Sequence, residues 1–252
     1  MSFPLIKYVL MAALRDRLII ALIVILLIAS SLSIFFGGSA VIEKDQFTLI
    51  FVGASLRLIS VLGLVLFSTF FVTKSFDNKD IEFLLSRPIG RLSLIFSYSI
   101  GCMILALFIS VASAATVIAV SPHLVSDGHV IWSLSILIEN IIMVNVALFF
   151  AMYMSSAATA SLVTLCAYIL SRMMGQFLGI IDSNLVDGQG MYAMITQFVS
   201  VIMPRLDLLG QTSWLVYGAD DTISLVAIVL QGVIFSFLVL MAASLDFVRR
   251  QF

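Results

Sequence analysis

Apolar residues arrive along this chain in long blocks, not in a two-residue alternation. Six blocks cover Leu18–Phe36, Phe47–Val72, Leu92–Val120, Trp132–Met154, Ala157–Ile180 and Thr222–Leu245. A helix rises ~1.5 Å per residue, so a block of about twenty residues crosses ~30 Å of hydrocarbon. Barrel strands are nearer ten residues long and alternate, as these do not. The pattern predicts an all-α integral membrane protein with six spans and a single transmembrane domain over 1–252. The first block outruns a signal-peptide core and lacks a clear A-x-A site after it, so it reads as an uncleaved span. The third is longer than a bilayer needs, which leaves room for tilt or projection.

Three shorter segments fall outside the blocks, one ahead of the first and two between them. "SFPLIKYVLMAALRDR" places Pro4 in a first helical turn and apolar residues between Lys7 and Arg15–Arg17. It reads as an N-terminal interfacial helix, or else as an early start to the first span. "GMYAMITQFVSVIMP", Gly190 to Pro204, is apolar but only fifteen residues long and closes on proline. It reads as a re-entrant or interfacial helix before the last span. The third segment, Lys74 to Ser93, packs seven charged residues into the eighteen positions from Lys74 to Arg91.

Composition fits this picture and charge orients it. The chain is 62% hydrophobic and 11% charged, with a mean hydropathy of +1.20. Soluble domains carry about 25% charged residues. With the N-terminus in the cytoplasm, Lys7, Arg15, Arg17, Lys74, Lys79, Arg87, Arg91, Arg249 and Arg250 all fall inside. Only Lys44, Arg172 and Arg205 fall outside. The basic-inside bias therefore gives N-in, C-in. A net charge of −1 offers no bulk attraction to nucleic acid.

Chemistry-bearing motifs are sparse. No G-x-x-x-x-G-K-[ST] occurs, so the chain has no phosphate-cradling loop of its own. Cys102 and Cys166 sit inside apolar blocks as small core residues. "HLVSDGH" sets His123 and His129 around Asp127 in an external loop, where nothing fixes a metal geometry, so no metal site is expected. No histidine lies at the depth of the span serines to activate one as a nucleophile, and no catalytic residue is assigned. The twelve methionines and twenty phenylalanines read as packing and lipid-facing residues.

Arg57 and Glu139 stand out inside the blocks. Arg57 lies about ten residues into the second, Glu139 about seven into the fourth, at depths that long side chains bridge. Intramembrane charges are costly and face protein or water. Either the two form a structural ion pair, or Arg57 lines a translocation path and meets a polar or anionic substrate. Ser156, Ala160 and Thr164, with Ala157 and Ser161, put small residues at four-residue spacing, suited to packing within the chain or to a dimer contact. Asn145 can bond across helices.

The stretch "KSFDNKDIEFLLSRPIGRLS" is patterned as well as charged. Asp77 or Asn78 can cap a helix start, and Asp80 and Glu82 suit the positive end of its dipole. Ile81, Leu84 and Leu85 form one stripe, while Phe76, Phe83 and Arg87 fall on another face. Pro88 ends the helix and "RPIG" fits a type I turn. The plain alternative is a surface loop rich in positive charge.

"FVTKSFDNKDIEFLLSRPIGRLSLIFSYSIG" resembles the segment between the second and third spans of type-2 ABC exporter permeases, where acidic-x-x-x-acidic precedes an "LLSxPISR" pattern. "MPRLDLLG", Met203 to Gly210, resembles their external stretch before the last span, and "DFVRRQF", Asp246 to Phe252, their ending. The order and spacing match over nearly the whole chain, nearest the branch with the permease for nitrous oxide reductase maturation. Gly90 and Gln251 depart from the usual small polar and acidic residues. The resemblance implies a permease subunit of an exporter in a bacterial inner membrane. It implies a cytoplasmic coupling helix over about 77–87, with Asp77, Asp80, Ile81, Glu82, Phe83, Leu84, Leu85 and Arg87 at the contact with a separate ATP-binding subunit. ATP and magnesium would belong to that subunit, and no cofactor to this chain. A second copy of the permease is implied, and a periplasmic accessory protein is a further partner it allows. The alternative is a membrane scaffold or assembly factor without transport activity.

Overall fold

A computed structural model describes residues 3–37, 43–85, 90–182, 189–218 and 225–249. Among these residues the chain is all-helical, without strands. Helix α1 is Phe3–Arg15, α2 Leu18–Gly37, α3 Lys44–Asp77, α4 Asp80–Leu85, α5 Arg91–Val120 and α6 Asp127–Tyr153. Then come α7 (Ala157–Asp182), α8 (Gln189–Ile202), α9 (Leu206–Leu209), α10 (Trp214–Tyr217) and α11 (Leu225–Arg249). Six of them, α2, α3, α5, α6, α7 and α11, are long and apolar enough to cross a membrane. These are the six blocks expected from the pattern, the last beginning after residues 219–224, where the expected start at Thr222 lies outside the described residues.

Helix α6 is the most buried of the six and stands at the centre, against α3, α5, α7 and α11. The outer helices turn large apolar residues outward, as Ile20, Val24, Leu27 and Ile28 on α2 show. Lipid offers apolar residues no penalty for this, so the specific contacts inside are small or polar. Between α5 and α6 the Ser99 hydroxyl donates to Asn145 Oδ1 (2.7 Å), and Asn140 Nδ2 donates to Ser110 Oγ (2.8 Å). The Ser60 hydroxyl of α3 reaches Asn140 Oδ1 (3.4 Å). Asn145 thus makes the interhelical bond expected of it. Of the small residues, Ala160, Ser161 and Thr164 on α7 are buried within the chain, Ala157 is half-buried, and Ser156, just before α7, is exposed.

α1 is a helix separate from the first span. Leu5, Val9 and Ala13 make a buried stripe, and Val9 meets α5 where Gly101 leaves no room for a side chain. The helix ends at Arg15, and Arg17 turns the chain with a left-handed φ of 54°. An unbroken early start to the first span is therefore not what forms.

α3 runs further than its apolar block. At 34 residues it is about 51 Å long, well beyond ~30 Å of hydrocarbon. Asp77 is its last residue and Asn78 its C-cap, with the Asn78 N–H bonded to Lys74 O. So neither caps the next helix, contrary to the sequence expectation. Lys79 makes the turn with φ 60°, and α4 begins at Asp80. Phe76 likewise stays on α3, its ring 6.3 Å from that of Phe247 on α11, not on an outer face of α4.

His129 also moves from loop to helix. It lies in the first turn of α6, buried, and its Nδ1 accepts the Ser126 N–H at 3.2 Å. His123 stays exposed, in a single turn of 3-10 helix over Pro122–Leu124, with Nε2 3.6 Å from Asp45. Among the described residues no group of three His, Cys, Asp or Glu side chains is placed to hold a metal ion.

Candidate functional site

Two places combine polar chemistry with a defined geometry. The first is inside the bundle. Arg57, on α3, is 1% exposed, and Glu139, on α6, is wholly buried. They meet directly, Nη1 of Arg57 donating to Oε2 of Glu139. The same Nη1 donates to Leu209 O at 2.9 Å, and Nη2 to the Ser135 hydroxyl at 2.7 Å. The guanidinium carbon lies 5.3 Å from the Trp132 ring centre, in cation–π range.

A third charge completes the cluster. Arg172, read from the sequence as an external charge, sits on α7 and donates from Nη1 to the other Glu139 oxygen at 3.2 Å. Its Nη2 donates to Gly210 O at 3.1 Å. One carboxylate therefore faces two guanidiniums, a net charge of +1 in an apolar bundle. Leu209 is the last residue of α9 and Gly210 its C-cap, so their carbonyls lack helical donors. The two arginines supply those donors and clamp α9 onto α3, α6 and α7.

Glycines make the close approach possible. A side chain at Gly210 would run into the Arg172 guanidinium, and one at Gly175 would stand 2.6 Å from an Asp207 oxygen. Asp207 is itself held by Arg205 Nη2 at 2.8 Å. The C-terminal end of α9 is thus held to the bundle by the two arginines, while the Arg205–Asp207 pair closes locally at its start. The clasp can hold a segment in one position. With its surplus positive charge it can also receive an anion if the segment moves.

The second place is α4, at the end of the bundle where α3 outruns its apolar block. Ile81 is 1% exposed and Leu84 half-buried against the core, which seats the helix. Phe83 is 62% exposed. Asp77 is exposed at the end of α3, and Glu82 and Leu85 lie on α4. Arg87 and the "RPIG" turn through residue 89 lie outside the described residues. Past them, Arg91 at the start of α5 donates to Val248 O of α11 at 3.0 Å.

α1 and α4 touch. The Tyr8 hydroxyl donates to Asp80 Oδ2 at 3.3 Å. Burial, reinforced by the Asp80 charge, raises the Tyr8 pKa above its ordinary 10.0. A raised phenol holds its proton more tightly in the fold than in the unfolded chain. The stability it contributes is full below pH 10 and is lost as pH climbs through the folded value. The Tyr8→Phe chain, having no phenol there to ionise, is expected to lose less of its thermal midpoint above pH 10 than the wild type. Melts of both proteins on either side of that pH check this, and parallel curves would show the contact to be idle.

Sequence pattern offers an Arg57–Glu139 pair as one of two readings, and the structure makes that contact. The pattern also places a helix over about 77–87, where α4 covers Asp80–Leu85. It misses Arg172, which is counted among the external charges although it lies inside the block Ala157–Ile180. It also misses Ser135 and the carbonyls of Leu209 and Gly210. Fold and site define a multi-pass, all-helical membrane protein with a charged clasp inside its bundle. No protein-family model matches the chain, and no curated protein matches it.

Proposed function

We propose that this chain is the permease subunit of an ATP-binding cassette exporter in a bacterial inner membrane. α4 is its coupling helix. The observation that carries the reading is α4 itself: a short helix between two spans, seated by Ile81 and Asp80, that turns Phe83 outward. A seated helix with an outward aromatic is suited to transmit force from a partner, because it cannot move without moving α3 and α1. The order of the three family-like stretches supports the same reading.

In this reading the N- and C-termini are cytoplasmic, α1 lies on the inner leaflet and α8 on the outer side. ATP and magnesium bind a separate subunit, whose hydrolysis drives alternating access. Two permease copies complete the path, and a periplasmic accessory protein is compatible with it. The clasp of Arg57, Glu139 and Arg172 then latches α9 at the outer end of the path.

One observation favours a second reading. Arg57 is spent on Glu139, Ser135 and Leu209 and lines no open passage among the described residues. A scaffold or assembly factor would use it in that way alone. Purification of the tagged chain from its native membrane in mild detergent separates the two. A stoichiometric ATP-binding subunit and nucleotide hydrolysis are expected. Repeated recovery without any nucleotide-binding partner would remove the exporter reading and leave the scaffold.

A further inference from the structure

Three spaces in the surface adjoin in one tract along α3. The first, about 920 Å³, lies between α1, the last turns of α3 and α4, with Arg15, Asp16, Lys74 and Asp80 on its walls. The second, about 770 Å³, lies on the other side of α3, toward the start of α7. Asp16, Phe71, Lys74 and Asn78 line both, so the two adjoin at these side chains. The third, about 130 Å³, shares Leu66 and Phe67 with the second and continues to Leu22, Gly63 and Ile109.

The walls change character along this tract. At Lys74 they are charged. At Gly63, eleven residues or about 16 Å down α3, they are apolar. The charged level is also where the apolar blocks stop: α2 begins directly after Asp16 and Arg17, and Lys74 follows Val72 and Thr73. That is the depth of lipid headgroups. Charges of both signs line it: two cations (Arg15 and Lys74) and three carboxylates (Asp16, Asp77 and Asp80). Lys74 and Asp16 pair loosely, at 3.8 Å, and Lys74 is mostly exposed, so both can exchange partners.

We propose that this tract holds one zwitterionic aminophospholipid from the surrounding leaflet. Lys74 and Arg15 take its phosphate, Asp16 and Asp80 its ammonium, and one acyl chain follows α3 past Leu66 to Gly63. Charge-assisted bonds of both signs select this head over an anionic one, whose phosphate would leave the two carboxylates facing a like charge. The site does not depend on the exporter reading.

The test counts lipid on the full chain. The protein is extracted in mild detergent, washed, and exchanged into nanodiscs of phosphatidylethanolamine, phosphatidylglycerol and phosphatidylcholine in equal parts. It is then re-extracted, and retained lipid is measured by mass spectrometry. About one phosphatidylethanolamine per chain is expected, well above its share of the mixture. Lys74→Ala is expected to lower retention about tenfold, the equivalent of one charge-assisted bond. Leu66→Trp, at a partly exposed position that tolerates a larger ring, is expected to lower it by blocking the tail. Asp16→Asn keeps the shape and shifts the preference toward phosphatidylglycerol. Glycerophosphoethanolamine, the head without tails, is expected to displace none of it. Retention in the proportions of the mixture, a preference for phosphatidylglycerol in the wild type, or undiminished retention in Lys74→Ala overturns the proposal.

Discussion

Glu139→Ala is expected to destabilise the bundle by about 3–5 kcal/mol, the range for removing one partner of a buried ion pair. The reason is what it leaves behind. Arg57 is buried on all sides and has no route to water, so its charge would stay in the bundle facing a second guanidinium. Arg172 is 29% exposed and can swing outward, so Arg172→Ala is expected to cost less than Arg57→Ala. Melts in detergent rank the three. A simple two-member pair would predict that exchanging the partners, Arg57→Glu with Glu139→Arg, restores stability. The three-member clasp predicts that it does not. The exchange sets a guanidinium at position 139 against that of Arg172, and a carboxylate at position 57 cannot donate to Leu209 O or Ser135. Full rescue by the exchange would show that Arg172 and the α9 carbonyls are incidental neighbours.

That difference between two members and three marks where sequence runs out. A charge inside an apolar block is conspicuous, so Arg57 and Glu139 stand out from composition alone. Arg172 also lies inside an apolar block, eight residues before Ile180, but the basic-inside count assigns it to the outer side, so it is not set beside Arg57 and Glu139. The acceptors on Leu209 and Gly210 are backbone atoms of a four-residue helix and its cap, and no side-chain pattern announces them. The glycines that admit the guanidinium and Asp207 become meaningful only once α7 and α9 lie side by side.

The spans are legible for a different reason. Hydrocarbon thickness imposes a length on each apolar block, and that length survives any uncertainty about packing. Their ends are set by local chemistry that competes. Asp77 has good capping chemistry, yet buried Phe71, Thr73 and Ser75 and half-buried Phe76 carry the face of α3 onward past the block. Packing outweighs the cap, and the helix stops only at Asn78. His129 looks like a loop residue in the sequence because its bond to Ser126 uses imidazole where a capping box usually has Glu or Gln.

On the exporter proposal, Phe83→Asp is expected to abolish recovery of an ATP-binding subunit while leaving the chain folded. Two substitutions close together on α4 make this separable. Ile81 is part of the core, so Ile81→Asp buries a carboxylate without a partner and is expected to lower both stability and partner recovery. Phe83 is 62% exposed, so an aspartate there is expected to cost the fold less than one at Ile81. Its cost falls at the interface, where a buried aromatic anchor carries about 2 kcal/mol or more, roughly a thirtyfold change in Kd. The expected signature is thus an unchanged melting curve with partner lost and ATP hydrolysis no longer tied to transport. A residue that merely rests among lipid headgroups would give the opposite, altered detergent behaviour with the complex intact. Undisturbed assembly and transport in Phe83→Asp would take the coupling role away from α4, because no other aromatic on that six-residue helix could supply the contact.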